Sequence, residues 1–121
     1  MISEATMKSA LQSYLDYFNA ADVDGLAGLF ADNATVEDPL GTPAKTGKDE
    51  IRAFYTDALK NGAVLSLAAP IRGSHGNAAA MAFDVKLTGL TVRVIDVMTF
   101  DAAGKITSMK AYFGPGDFIQ G

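Results

Sequence analysis

The chain contains no cysteine and a single histidine among its 121 residues. Without thiols, disulfides and thiol chemistry are excluded outright. One histidine without cysteine disfavours a zinc site and leaves open only a carboxylate site for a hard cation. Basic residues are also scarce, 10 against 14 acidic ones, for a formal net charge of −4 and a pI of about 4.7. That balance disfavours nucleic acid and anionic membranes, which both reward basic patches. No apolar run approaches the roughly 20 residues needed to span a bilayer. The opening stretch "MISEATMKSALQSYLDYF" lacks the basic start and apolar run of a signal peptide, so a cytoplasmic protein is expected. There are no repeats, linkers or low-complexity segments, and the length suits one domain over residues 1–121.

What is present is a globular composition, 49% hydrophobic and 20% charged. Met7, Ala10, Leu11, Tyr14, Leu15 and Phe18 are spaced as one helical face, with Ser3 as N-cap and Tyr17 off the stripe. A second, shorter helix is expected after Asp22, burying Leu26, Leu29 and Phe30. The third is expected from Thr46, as N-cap, through Ile51, Phe54, Tyr55 and Ala58 to a stop at Asn61-Gly62. From Ala63 the periodicity changes to two. "AVLSLAAPI", "NAAAMAFDVKL", "LTVRVIDVMTF" and "KITSMKAYF" read as strands, with turns at Gly73 to Gly76, Gly89 and Asp101 to Gly104. Helices followed by hairpin-linked strands predict an α+β fold, three N-terminal helices on a curved, mostly antiparallel sheet. The concavity of such a sheet is a natural place for an apolar pocket.

Three polar groups fall on apolar faces. In the strand Leu90 to Phe100, Asp96 shares its face with Leu90, Val92, Val94, Met98 and Phe100, while Arg93 lies on the other. A carboxylate there loses hydration, so its pKa should rise, and a neutral acid can donate a hydrogen bond. Pairing with a lysine or arginine, or capping of a backbone group at a sheet edge, is the alternative. "ATVEDPLGTP" contains adjacent carboxylates, and Asp-Pro-x-Gly reads as a type I turn with Asp38 first, Pro39 second and Gly41 fourth. If residues 33–40 form a strand, Ala34, Val36, Asp38 and Leu40 face inward and Glu37 faces solvent. Tyr14 adds a phenol that is either an ordinary core tyrosine or a donor in the pocket. Together an inward carboxylate, an inward acid and an inward phenol can remove a carbon-bound proton beside a ketone and hold the resulting dienolate oxyanion, with no metal or cofactor. His75, in "RGSHGN", reads as an exposed loop residue, and Asp84 as an outer-face one. "GTPAKTG" lacks the spacing of a phosphate loop.

Along nearly its whole length the chain resembles the bacterial ketosteroid isomerases (steroid Δ-isomerases) of the nuclear-transport-factor-like, SnoaL-like superfamily. The resemblance rests on "SYLDYFNAADVDGLAGLFADNATVEDPLG", "IRAFYTDALK", "AAMAFDV" and "VIDVMTFDAAGKITSMKAYFG". It implies a cone-shaped α+β fold, Asp38 as general base, and Tyr14 with protonated Asp96 as the oxyanion hole. A neutral acid in that role is known in this family, so the neutrality of Asp96 is what the resemblance implies. The resemblance further implies Tyr55 as a hydrogen-bond partner of the catalytic tyrosine. It implies Phe54, Met81, Phe83, Val92, Val94, Met109, Ala111 and Phe113 as pocket walls. Phe30 stands where some members carry a further tyrosine, Phe113 where some carry tryptophan, and the hairpin at Gly89 is shorter than in some relatives. The implied activity moves the C5–C6 double bond of 3-oxo-5-ene steroids to C4–C5 through a dienolate, in a homodimer without cofactor. Alternatives on the same fold are an epoxide hydrolase, dehydratase or polyketide cyclase, or a non-catalytic ligand-binding or dimerisation domain.

Overall fold

A computed structural model describes residues 2–121. Helix α1 spans Glu4–Asn19, and its N-cap Ser3 accepts a hydrogen bond from the Thr6 N–H at 3.1 Å. Met7, Leu11, Tyr14, Leu15 and Phe18 are its buried stripe, as the spacing predicts. Helix α2 spans Val23–Gly28, capped by the Asp22 side chain, and buries Leu26 and Ala27. Phe30, expected on α2, is instead the first residue of strand β1, Phe30–Glu37, and is fully buried. Short strand β2, Lys45–Thr46, takes the residue expected to cap the third helix. The N-cap of α3, Lys48–Ala58, is Gly47, at φ 85°, a value glycine adopts freely. The Glu50 carboxylate accepts the Thr46 N–H at 2.9 Å and stands in for the missing side-chain cap. After α3, one 3-10 turn over Leu59–Asn61 ends at Gly62 in the left-handed conformation, the expected stop.

The remaining strands are β3 Val64–Leu67, β4 Ala78–Leu87, β5 Leu90–Phe100, β6 Ile106–Tyr112 and β7 Phe118–Gln120. The sheet order is β2-β1-β6-β5-β4-β3, and β7 pairs with β5 beside the first residues of that strand. Only β1 and β6 run parallel; every other pairing is antiparallel. Helix α1 packs on β3 and β4, and α3 on β1 and β2. This is the α+β arrangement expected from the periodicity, in the cone shape that the resemblance implies. The first hairpin strand is shorter than "AVLSLAAPI" suggests.

The turn after β1 lies one residue later than Asp-Pro-x-Gly implies. The Asp38–Pro39 peptide is cis, and the closing hydrogen bond runs from the Thr42 N–H to the Pro39 carbonyl at 3.2 Å. Gly41 is then the third residue, with the positive φ, 99°, that a type II turn requires. The strand pattern also ends early, so Leu40, expected inward, is 41% exposed. Its N–H donates to the Ala111 carbonyl at 2.7 Å and ties the turn to β6.

Candidate active site

Alternation along β5 positions the first group. Val92, Val94, Asp96, Met98 and Phe100 are all buried, whereas Arg93 and Ile95 on the opposite face are exposed. Asp96 is 1% exposed, and neither carboxyl oxygen has a hydrogen-bond partner among the described residues. It therefore neither pairs with a cation nor caps a backbone group. Burial pushes its pKa well above the ordinary carboxylate value, and the nearby Asp38 charge adds to the rise.

Asp38 follows β1 by one residue and is half-buried. Its pKa is raised to about 6, also by loss of hydration. Strand β6 sits between the two acids. Ala111 pairs with Asp96 on one side, and on the other Glu37 lies opposite Lys110, which brings Asp38 level with Ala111. Two strand spacings separate the backbones, about 10 Å. At that level the strand between them carries only the small side chain of Ala111. Burial raises the pKa of both acids, and it raises that of the more deeply buried Asp96 further.

Tyr14 comes from the inner face of α1 and Tyr55 from the inner face of α3, and their hydroxyls lie 2.9 Å apart. Burial raises both phenol pKa values well above normal, so both remain neutral donors. Tyr55 is held by its neighbours, edge-on to Tyr14 at 5.7 Å and to Phe54 at 5.0 Å, and tilted against Phe30 at 5.9 Å. Phe30 is thus packing for the tyrosine pair, as its apolar ring dictates.

These groups face one cavity of about 350 Å³. Of the expected walls, Phe54, Phe83, Val92, Val94 and Phe113 line it. Met81, Met109 and Ala111 do not. Each is almost wholly buried, with Met81 and Ala111 flanking Asp96 in the sheet. They face inward, as alternation says, but into packed core instead of open space. The lining also includes Leu65, Val85, Leu87, Asn61 and Phe118. Val85 and Leu87 continue the alternation of Phe83 and were legible in it. No sequence pattern marks Phe118, in a three-residue strand after a Gly-Pro-Gly stretch.

Several residues stay outside. His75 is exposed, and Glu37, half-buried, does not line the cavity. Arg93 is exposed on the outer face, opposite Asp84. Among the described residues, no group of three or more His, Cys, Asp or Glu is arranged to hold a metal ion, and no helix is long and apolar enough to cross a membrane.

A curved α+β sheet holding paired acids and phenols in an apolar cup defines a small-molecule site. The chain belongs to the SnoaL-like family and groups there with the ketosteroid isomerases. The SnoaL-like domain profile matches residues 11–109. A steroid Delta-isomerase of Nocardioides simplex is 38% identical over 121 residues, covering 95% of each chain. The epoxide hydrolase LasB of Streptomyces lasalocidi is 24% identical over 139 residues, covering 94% of this chain and 49% of LasB. Among solved structures, the epoxide hydrolase/cyclase-like enzyme SalBIII superposes with a TM-score of 0.91 at 25% identity, over 100% of both chains. These relatives are enzymes.

Proposed function

We propose that the protein is a steroid Δ-isomerase that converts 3-oxo-5-ene steroids to their 4-ene isomers. The observation that supports this reading is that Asp38, Tyr14 and Asp96 line a single apolar cavity, with burial raising the pKa of each. The ketone oxygen lies between the Tyr14 hydroxyl and the Asp96 carboxyl proton. Asp38 takes a proton from C4, the electrons of that C–H bond form a C3–C4 double bond, and the pair displaced from the carbonyl settles on oxygen, giving a dienolate that still holds the C5–C6 double bond. The same proton is returned to C6: the oxyanion re-forms the ketone, the C3–C4 pair becomes the C4–C5 double bond, the C5–C6 pair takes the proton, and the Asp38 carboxylate is regenerated. Nothing is oxidised or reduced, and no cofactor enters the balance.

Each part has a physical reason. A base near pKa 6 is ionised at neutral pH yet stronger than a hydrated aspartate. Donors fixed in a dry cavity meet the developing charge without solvent reorganisation, and such a donor is typically worth about 10²–10³ in rate. Tyr55, bonded to Tyr14, orients that hydroxyl and shares its partial charge. The unpartnered oxygens of Asp96 are the strongest sign of function, because an orphaned buried carboxyl destabilises the fold unless a ligand completes it.

The likeness to SalBIII and LasB supports a second reading, opening of an epoxide with Asp38 as base and protonated Asp96 as acid. Against it, no arginine or lysine lines the cavity to position a water between the acids. We further propose a homodimer through the outer sheet face, where the cross-strand neighbours Ile95 and Tyr112 are 48% and 45% exposed. Sedimentation should then give twice the mass of 12.7 kDa.

The deciding assay follows ultraviolet absorbance as the protein acts on a 5-ene-3-oxosteroid, since conjugation of the enone creates a new band. Rapid conversion, lost in Asp38→Asn, is expected. Absence of conversion by folded wild type, with turnover of an epoxide instead, would replace this reading by the second.

A further inference from the structure

We infer that Asn19 is a positioning residue for the oxyanion hole: its amide locks the end of helix α1 to strand β3 and so sets where Tyr14 stands relative to Asp96. The inference rests on the isomerase reading and adds to it a residue outside the cavity lining.

The two donors come from different layers. Asp96 is on β5 of the sheet, whereas Tyr14 is on α1, which packs on β3 and β4. The buried stripe of α1 is otherwise apolar, and apolar contact is non-directional, so it does little to set the helix's register to within an ångström. Among the described residues, one side chain alone bonds α1 to the sheet. The Asn19 amide nitrogen donates to the Leu65 carbonyl at 2.9 Å, and the Asn19 amide oxygen accepts the Leu65 N–H at 2.8 Å. Strand β3 is the last of the sheet on that side. Asn19 therefore does for Leu65 what a residue of a neighbouring strand would, exchanging both bonds with it. Two bonds from one planar amide fix direction as well as distance. Asn19 lies at the surface, but Leu65 beneath it is 4% exposed.

This tie reaches both donors through regular structure. Leu65 pairs with Val85 and Val85 with Val92, four residues before Asp96 on β5. On the other side, Asn19 is five residues after Tyr14 on α1, about 7.5 Å along the helix axis. The path from the Tyr14 hydroxyl to the Asp96 carboxyl thus runs along one helix, through the amide and across a continuous ladder. Tyr14, Phe18 and Leu65 all line the cavity, so the tie stands beside the space that holds the ketone. The helix also ends there under strain. Ala21 has φ 55°, and it is the one non-glycine residue with positive φ among the described residues. The Ala21 N–H donates to the Phe18 carbonyl at 3.0 Å and the Asp22 N–H to the Tyr17 carbonyl at 2.9 Å, a paired closure that usually takes glycine. An alanine held in that conformation marks a segment whose place is dictated by its surroundings.

The test compares Asn19→Ala with wild type on a 5-ene-3-oxosteroid. A misplacement of about 1 Å can cost about 10² in rate, and Tyr55 still holds part of the geometry, so kcat should fall about tenfold with KM within about twofold. In a Tyr14→Phe background the same change should cost less than about twofold, because the group it positions is gone. Binding gives a readout without turnover. Estradiol, whose phenol mimics the dienolate, should bind Asn19→Ala about three- to tenfold more weakly by calorimetry, the worth of one hydrogen bond. Estradiol lacking the phenolic hydroxyl should bind both proteins equally. Asn19→Asp keeps the size and still accepts the Leu65 N–H, but its carboxylate cannot donate to the Leu65 carbonyl. It should show the same pattern, and it serves as the test if the alanine variant does not fold. Unchanged kcat, a full loss persisting in the Tyr14→Phe background, or equal weakening of the two ligands would overturn the assignment. If Tyr14→Phe alone leaves kcat and estradiol binding unchanged, the isomerase reading fails instead, an outcome distinct from failure at Asn19.

Discussion

Replacing Asp38 by Asn should abolish activity while making the protein more stable at neutral pH. The carboxyl titrates at about 6 in the fold against 3.8 for an ordinary aspartate, because burial withdraws hydration. A folded-state value above the unfolded one means that the native protein binds this proton more tightly than the unfolded chain. The stability owed to the group is therefore fully present in acid and is lost as pH rises from about 4 to about 6. At about 1.36 kcal/mol per pH unit, the interval corresponds to roughly 3 kcal/mol. Asp38 is only half-buried, so about 1–2 kcal/mol is the portion expected after screening. Asparagine is uncharged throughout and carries no such slope. Urea unfolding of the two proteins between pH 4 and pH 8 should show the variant gaining about 1–2 kcal/mol on wild type by pH 7, with a flat difference above. Any constant offset between amide and acid drops out of that comparison. Parallel stability curves would refute the reasoning, since they would mean that Asp38 is hydrated in the folded state and owes no basicity to burial.

Other expectations concern activity. Because the base must be unprotonated, kcat/KM of the wild type should fall about tenfold per pH unit below about pH 6; a limb near 4 would contradict the raised value. Tyr14→Phe and Asp96→Ala should each lower kcat by about 10²–10³ with little change in KM, and the double variant should lose less than the product. A predominant effect on KM would mean that these groups bind ground state and transition state alike. Glu37→Gln should keep activity within a few-fold of wild type, since Glu37 does not line the cavity. A loss as deep as that of Asp38→Asn would move the base by one residue.

The inward positions of β5 were legible because that strand has one face on the core and one on solvent, so a period of two fixes every side chain. The same rule carried Asp38 inward, although its strand ends before it and Leu40 has already turned out. Alternation could not separate Phe83 and Val94, which border open space, from Met81 and Met109, which do not. One sheet face serves both the cavity and the helices, and the boundary depends on where α1 lies across β3 and β4. Phe30 sits at a helix-to-strand junction, where a single apolar residue satisfies either period. Strands of two and three residues, β2 and β7, contain too little pattern to read, and with β7 the far wall of the site was missed.

The parallel pairing of β1 with β6 has a consequence for how the protein acquires its site. Phe30 lies opposite Ile106, so the strand leading to Asp38 finds its neighbour only after most of the chain has been brought back upon it. Contacts of such separation close large loops and form late, whereas α1 and the hairpin of β4 and β5 form from nearby residues. A partly folded chain can therefore hold Tyr14 on its helix and Asp96 in its hairpin while the base is still adrift. Recovery of activity during refolding should report the last step of assembly, lagging the return of helical signal. A chain shortened before β6 should keep local structure but lose the base's position altogether.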